Sequence, residues 1–74
     1  PDGTKVFSSF AGLVEVVEVN VTVGDVVTKG QAVAAVEAMK AKHEIHAPCD
    51  GKVTAVNVRI GDEIDASKPI MTIT

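Results

Sequence analysis

The sequence has no tryptophan or tyrosine, only two phenylalanines and two methionines, and a single cysteine in 74 residues. With so little aromatic bulk, a core has to be assembled from valine, isoleucine and alanine, which make up most of the 46% hydrophobic content. The lone Cys49 has no partner for an internal disulfide, which suits a reducing compartment. Seven basic residues are scattered under a net charge of −3, so no basic stripe exists to neutralise phosphates, and nucleic acid is not an expected partner. No apolar run approaches the roughly 20 residues of a membrane span, and no charged-then-apolar signal segment opens the chain. The expectation is a soluble, cytoplasmic domain with no direct membrane insertion. Because the chain opens on Pro1 rather than Met, residues 1–74 are expected to be a single domain of a larger protein or complex. At this length folding buries only about 60% of the unfolded chain's surface, so the core must be compact.

What the sequence does contain is valine in alternation, and branched Cβ atoms favour a pleated, half-buried strand over a helix. The pattern occurs twice. "AGLVEVVEVNVTVGDVVTKGQAVAAVE" (11–37) and "DGKVTAVNVRIGDEIDASKPIMTIT" (50–74) share their punctuation. Gly12 answers Gly51, and Gly24-Asp25 answers Gly61-Asp62. Past those pairs the register holds, with Val27 matching Ile64, Gly30 Ser67, Val33 Ile70 and Val36 Ile73. On this alignment the first half carries two extra residues between its glycines, which preserves a period of two. Both halves also change phase: Val14 and Val16 are followed by Val17, Val19, Val21 and Val23, while Val53 and Ala55 are followed by Val56, Val58 and Ile60. Such a slip predicts a bulge or a strand that leaves one sheet for another.

Strands are therefore expected near 4–8, 13–23 with a kink, 32–37, 42–46, 52–60 with a kink, and 69–74. Turns are expected at the two Gly-Asp pairs, at Lys29-Gly30, at Pro48–Gly51 and at Ser67–Pro69. The alanine-rich run from Ala32 to Ala41 is compatible with a helix on propensity alone, but its repeat partner ends in "PIMTIT", and the repeat decides for a strand. The fold class is all-β: a quasi-twofold flattened barrel, or barrel-sandwich, of two repeated antiparallel units.

The joint between the copies holds "EAMKAKHE" (37–44). If 32–37 and 42–46 pair antiparallel, the shortest connection is a two-residue turn at Met39 and Lys40. Ala38 then lies opposite Ala41, Glu37 opposite Lys42 and Ala35 opposite Glu44. Tight hairpins ask for Asn-Gly or a similar pair that tolerates positive φ, and Met-Lys is not one. A turn made against local preference points to function. Lys40 stands at the exposed end of a rigid body, where nothing buries it; such an amine is a poor general base but well placed to be acylated by another protein.

"VEAMKAKHEIHAPCDGKV" resembles the attachment segment of biotinyl domains, the biotin carboxyl carrier family, whose usual signature is Glu-Ala-Met-Lys-Met followed by an Ala-Pro-x-x-Gly turn. The resemblance covers nearly the whole chain, since the doubled Gly-Asp pattern around a central lysine also matches that family's two-fold barrel-sandwich. It implies covalent biotin on Lys40, with Glu37, Ala38, Met39 and Ala41 as the positions that a ligase or partner recognises. It also implies a carrier with no catalytic group of its own, serving a biotin-dependent carboxylase, transcarboxylase or decarboxylase. The implied partners are a biotin protein ligase and the biotin carboxylase and carboxyltransferase domains or subunits. The protruding thumb of the bacterial acetyl-CoA carboxylase carrier has no counterpart in the spacing, which likens the chain to carriers of pyruvate, propionyl-type or decarboxylase systems.

One position departs: Ala41 stands where the family usually has methionine. The related lipoyl domains share the fold and carry Asp-Lys-Ala at the tip, so lipoate in a 2-oxo-acid dehydrogenase-type complex is the alternative cofactor. Met39 within an intact "EAMK" favours biotin. A third possibility is an unmodified barrel-sandwich scaffold, which has no need of "EAMK" at its tip.

Glu37 and Lys42 are suited to a cross-strand ion pair, and Glu37 equally to ligase contact. His43, His46 and Cys49 could suggest a metal, but residues 43 and 46 point to opposite faces of a strand and no further ligand is suitably spaced, so no metal is expected. Asp25 and Asp62 are expected to be turn residues rather than a catalytic pair.

Overall fold

The computed structural model describes residues 3–8, 10 and 12–74. Eight strands follow in order: β1 (Thr4–Val6), β2 (Val14–Val19), β3 (Val26–Val27), β4 (Ala32–Ala38), β5 (Ala41–His46), β6 (Gly51–Val56), β7 (Glu63–Ile64) and β8 (Met71–Ile73). Every pairing is antiparallel, and the strands make two four-stranded sheets ordered β1-β8-β6-β3 and β5-β4-β2-β7. Exchanging β1 with β5, β8 with β4, β6 with β2 and β3 with β7 turns one order into the other. This is the quasi-twofold barrel-sandwich expected from the repeat. The run Ala32–Ala38 is strand, as the repeat required. Among the described residues no helix is long and apolar enough to cross a membrane.

The core lies between the sheets and is made of matched residues. Val16 and Val53, Val27 and Ile64, Val33 and Ile70, and Val36 and Ile73 are all buried, and each pair is separated by 37 positions. Each Gly-Asp turn is hydrogen-bonded to the opposite half. Gly24 N donates to Val53 O at 2.8 Å and Gly61 N to Val16 O at 2.7 Å, while Val53 N donates to Asp25 O and Val16 N to Asp62 O, both at 2.8 Å. Within the turns, the Asp25 carboxylate accepts from Thr22 N at 3.0 Å and the Asp62 carboxylate from Arg59 N at 2.9 Å. These aspartates are turn residues, as expected.

The repeat is in one respect simpler than the glycines suggest. β2 and β6 have the same length and start 37 residues apart, so the counterpart of Gly51 is Val14, not Gly12. The two extra residues therefore fall in the sequence between the end of β1 and the start of β2 rather than between the glycines. From Val14 to Ile73 the halves correspond without a gap, and no thumb is inserted. The two glycines do different work: Gly12 has φ 89° and open space around it, whereas a Cβ on Gly51 would stand 2.7 Å from both Ile73 Cγ2 and the Thr74 carbonyl oxygen.

Register shifts occur at Val16/Glu18 and at Val53/Ala55. The first sits where the valine phase changes; the second lies two residues earlier than the Ala55/Val56 slip, an error inherited from matching Gly12 to Gly51. The long kinked strands expected over 13–23 and 52–60 end at Val19 and Val56 instead. Asn20 N and Asn57 N then donate to Val33 O and Ile70 O, both at 2.9 Å, as the chain leaves the ladder. Two short strands, β3 and β7, resume pairing after the turns. Val23 and Ile60 are consequently exposed as turn residues rather than inward-facing. The expected strands at 4–8 and 69–74 are likewise shorter, ending at Val6 and beginning at Met71.

Candidate functional site

β4 is flanked by β2 and β5, and Val33, Ala34 and Val36 are buried in the core, so the hairpin leaving it has a firm base. The β4–β5 register places Ala38 opposite Ala41, Glu37 opposite Lys42 and Ala35 opposite Glu44, as the spacing predicts. Only Met39 and Lys40 remain for the turn, with φ of 53° and 65°. They are the only residues other than glycine with positive φ among the described residues. Two positive φ values in a two-residue loop give the primed turn that matches the twist of paired strands. A side chain with a Cβ pays about 1–2 kcal/mol in that region, so the flanking ladder holds the turn.

The result is an outward pair of side chains. Met39 is 99% exposed, and Lys40 is exposed with no ion-pair or hydrogen-bond partner among the described residues. Ala38 is half-buried and packs on the core, whereas Glu37 and Ala41 are exposed. All five expected positions thus lie together at one end of the hairpin.

The expected Glu37–Lys42 ion pair is not formed. Lys42 Nζ instead donates to Glu18 Oε2 at 2.6 Å, reaching from β5 across β4 to β2. Glu18 lies on the diagonal two strands away in the order β5-β4-β2, and reaching it lays the lysine stem along the outer face of the sheet. It crosses the row of Ala35, which faces outward with its pairing partners Glu18 and Glu44 and yet is fully buried.

Sequence reasoning also missed a neighbour contributed by the segment before β2. The Phe10 ring packs on His43 with centroids 4.3 Å apart at 52°. No local signal identifies this contact, because Phe10 and His43 lie in separate parts of the sequence and meet only in the folded chain. His46 lies 3.7 Å from Glu44, and half-buried Cys49 packs against the core. Among the described residues no three His, Cys, Asp or Glu side chains gather as a metal site.

A family model described as "Biotin-requiring enzyme", covering biotin and lipoyl attachment, matches residues 5–73. The chain belongs to the biotinyl/lipoyl attachment domain family. This attachment domain is 45% identical over 64 residues to the dihydrolipoyllysine-residue acetyltransferase component of the pyruvate dehydrogenase complex of Mycoplasma capricolum, matching 84% of this chain and 15% of that protein. It is 43% identical over 53 residues to the biotin carboxyl carrier protein of acetyl-CoA carboxylase of Streptococcus pyogenes, matching 72% of this chain and 32% of that protein. The chain therefore spans less than a third of either relative. Among solved structures, the Kluyveromyces lactis urea carboxylase superposes over the whole attachment domain with a TM-score of 0.89 at 27% identity, through 6% of its own chain. The lipoyl domain of the Azotobacter vinelandii 2-oxoglutarate dehydrogenase complex superposes with a TM-score of 0.75 over 100% of this chain and 96% of that one; at 18% identity it shows the fold alone. The family is one of small carrier-type domains, and its members here include biotin and lipoyl proteins.

Proposed function

We propose that the domain carries biotin as an amide on Lys40 and serves a biotin-dependent carboxylase, transcarboxylase or decarboxylase. The observation behind this assignment is the tip: Met39 and Lys40 held at positive φ with both side chains exposed, inside the sequence "EAMK". The amine has no competing partner among the described residues and stands on a hairpin that the ladder keeps rigid, so it fits an acyl group that has to reach beyond the domain. In the attachment step Lys40 Nζ attacks the acyl carbonyl of biotinyl-adenylate held by a biotin ligase. A C–N amide bond forms, the C–O bond to the phosphate breaks, AMP departs with the electron pair, and the nitrogen loses a proton to solvent.

Glu37, Ala38, Met39 and Ala41 are the surface that a ligase, and then the carboxylase and carboxyltransferase sites, would meet. Once attached, biotin supplies a ring nitrogen that carries a carboxyl group. The domain's own share is exposure, rigidity and a high effective concentration at partner sites when it is joined to them. Likeness to the urea carboxylase structure and to the streptococcal carrier protein supports this assignment.

Lipoate is the second reading, favoured by Ala41 and by the 45% identity to the Mycoplasma acetyltransferase component. Co-expression with biotin ligase, and separately with lipoyl ligase, followed by intact-mass measurement and streptavidin capture, distinguishes the two. Biotin is supported by a biotin-sized mass gain that disappears in Lys40→Arg. Modification by lipoate alone, or of Lys42 in place of Lys40, overturns it.

A further inference from the structure

Lys42 is a second primary amine only two residues past Lys40, near the start of β5. Its side chain is 50% exposed, so an activated acyl donor at the tip meets two amines rather than one. The structure treats them differently. Lys40 has no partner among the described residues, while Lys42 is hydrogen-bonded to Glu18 at 2.6 Å.

The direction of that bond matters as much as its length. Lys42 shares a row with Glu37, and Glu18 shares the next row with Ala35 and Glu44, one step farther from the turn. The Lys42 stem therefore runs back along the sheet, away from Met39 and Lys40, with its nitrogen delivered two strands over. Ala35 makes the crossing possible, since a larger outward side chain in the middle strand would stand in the path.

We propose that Glu18 is a specificity-determining residue: it disfavours acylation of Lys42, so that the hairpin presents Lys40 as the more reactive of its two amines. This rests on the assignment of Lys40 as the acceptor. Acylation requires an amine nitrogen with its lone pair free to attack the acyl carbonyl; the C–N bond forms, the leaving oxygen departs with its electron pair, and a proton is released. While Lys42 Nζ is hydrogen-bonded to the Glu18 carboxylate it is turned toward β2, and that bond must open before the nitrogen can reach a donor at the tip. Half-exposed ion pairs are weak, so the bias is modest: about two- to fivefold.

The test uses the whole chain and the N-hydroxysuccinimide ester of biotin at limiting amount, without ligase, with site occupancy read by peptide mass spectrometry. Glu18→Gln should raise the Lys42:Lys40 labelling ratio by about two- to fivefold, with Lys5 and Lys52 unchanged relative to Lys40. In the unaltered chain about 1 M salt should move the ratio the same way, because it screens an exposed pair, and Glu18→Asp should fall between the two. An unchanged ratio in Glu18→Gln overturns the proposal. So does an equal rise at every lysine, since that reports a loosened fold. The ester needs no ligase, so failure of biotin ligase to modify Lys40 sinks the biotin assignment without altering this ratio.

Discussion

Glu15 on β2 stands directly across from Glu37 on β4, and Glu63 on β7 faces it from the other side. Three exposed carboxylates thus share one row of the outer face, and Lys42, the cation in the same row, is drawn away to Glu18. Like charges directly opposed across strands are destabilising. Glu15→Gln removes both opposed pairs at once and should stabilise the fold by about 0.3–1 kcal/mol. Urea denaturation at low salt measures the gain, which should shrink as salt is raised. A loss of stability at low salt would show that the row is compensated by something other than Lys42.

The contrast between Gly51 and Gly12 gives a second prediction. Gly51→Ala forces a methyl against Ile73 and the Thr74 carbonyl, and should cost about 1–3 kcal/mol through overpacking. Gly12→Ala meets open space and bears only the strain of positive φ, about 1–2 kcal/mol. Parallel denaturation curves test this. A tolerated Gly51→Ala would mean that β8 can move away from β6.

Much of this architecture was legible because the repeat constrains itself. Val27, Val33 and Val36 could be matched to Ile64, Ile70 and Ile73 from sequence, and the Met39-Lys40 turn followed from the shortest antiparallel joint between two strands. The glycine match misled because a glycine can serve an open turn, as Gly12 does, or a crowded crossing, as Gly51 does, and sequence does not separate the two. Lys42 was misassigned for a related reason. Its pairing neighbour Glu37 is visible in the hairpin, but Glu18 becomes available only once β2 lies beside β4. Positions 20–23 and 57–60 alternate like strands, yet they turn away to wrap the other half.

Asp65 gives a prediction about pH. The Ser67 hydroxyl and the Ser67 backbone N–H both donate to its carboxylate, and they hold the group below the usual aspartate range. Because the folded value is depressed, the associated stability is present above the ordinary carboxylate range and is lost as pH falls through the folded value. Titration followed by carboxyl-carbon NMR should find Asp65 below a freely solvated aspartate. Ser67→Ala should raise it by removing the hydroxyl donor, and an unmoved midpoint in that variant would assign the depression to the backbone alone.

The hairpin tip should show stability and function in opposition. Met39 and Lys40 hold positive φ at a cost that Asn and Gly do not bear. Replacing the pair, Met39→Asn with Lys40→Gly, keeps the two-residue turn and the register of Ala38 with Ala41. The doubly substituted chain should unfold at higher denaturant, with a gain of about 1–2 kcal/mol. It should also accept no acyl group at the tip from biotin ligase or lipoyl ligase, because the amine is gone. Met39→Asn alone eases only part of the strain at one position and leaves Lys40 in place, so it should recover the smaller share of the gain. Its labelling rate then isolates what Met39 contributes to recognition: a rate matching the unaltered chain makes the exposed methionine dispensable, and a slower one makes it part of the surface that the ligase reads. If the double substitution lowers stability, the Met39-Lys40 backbone is relaxed by contacts of its own, and the inference from strain to function at this turn fails.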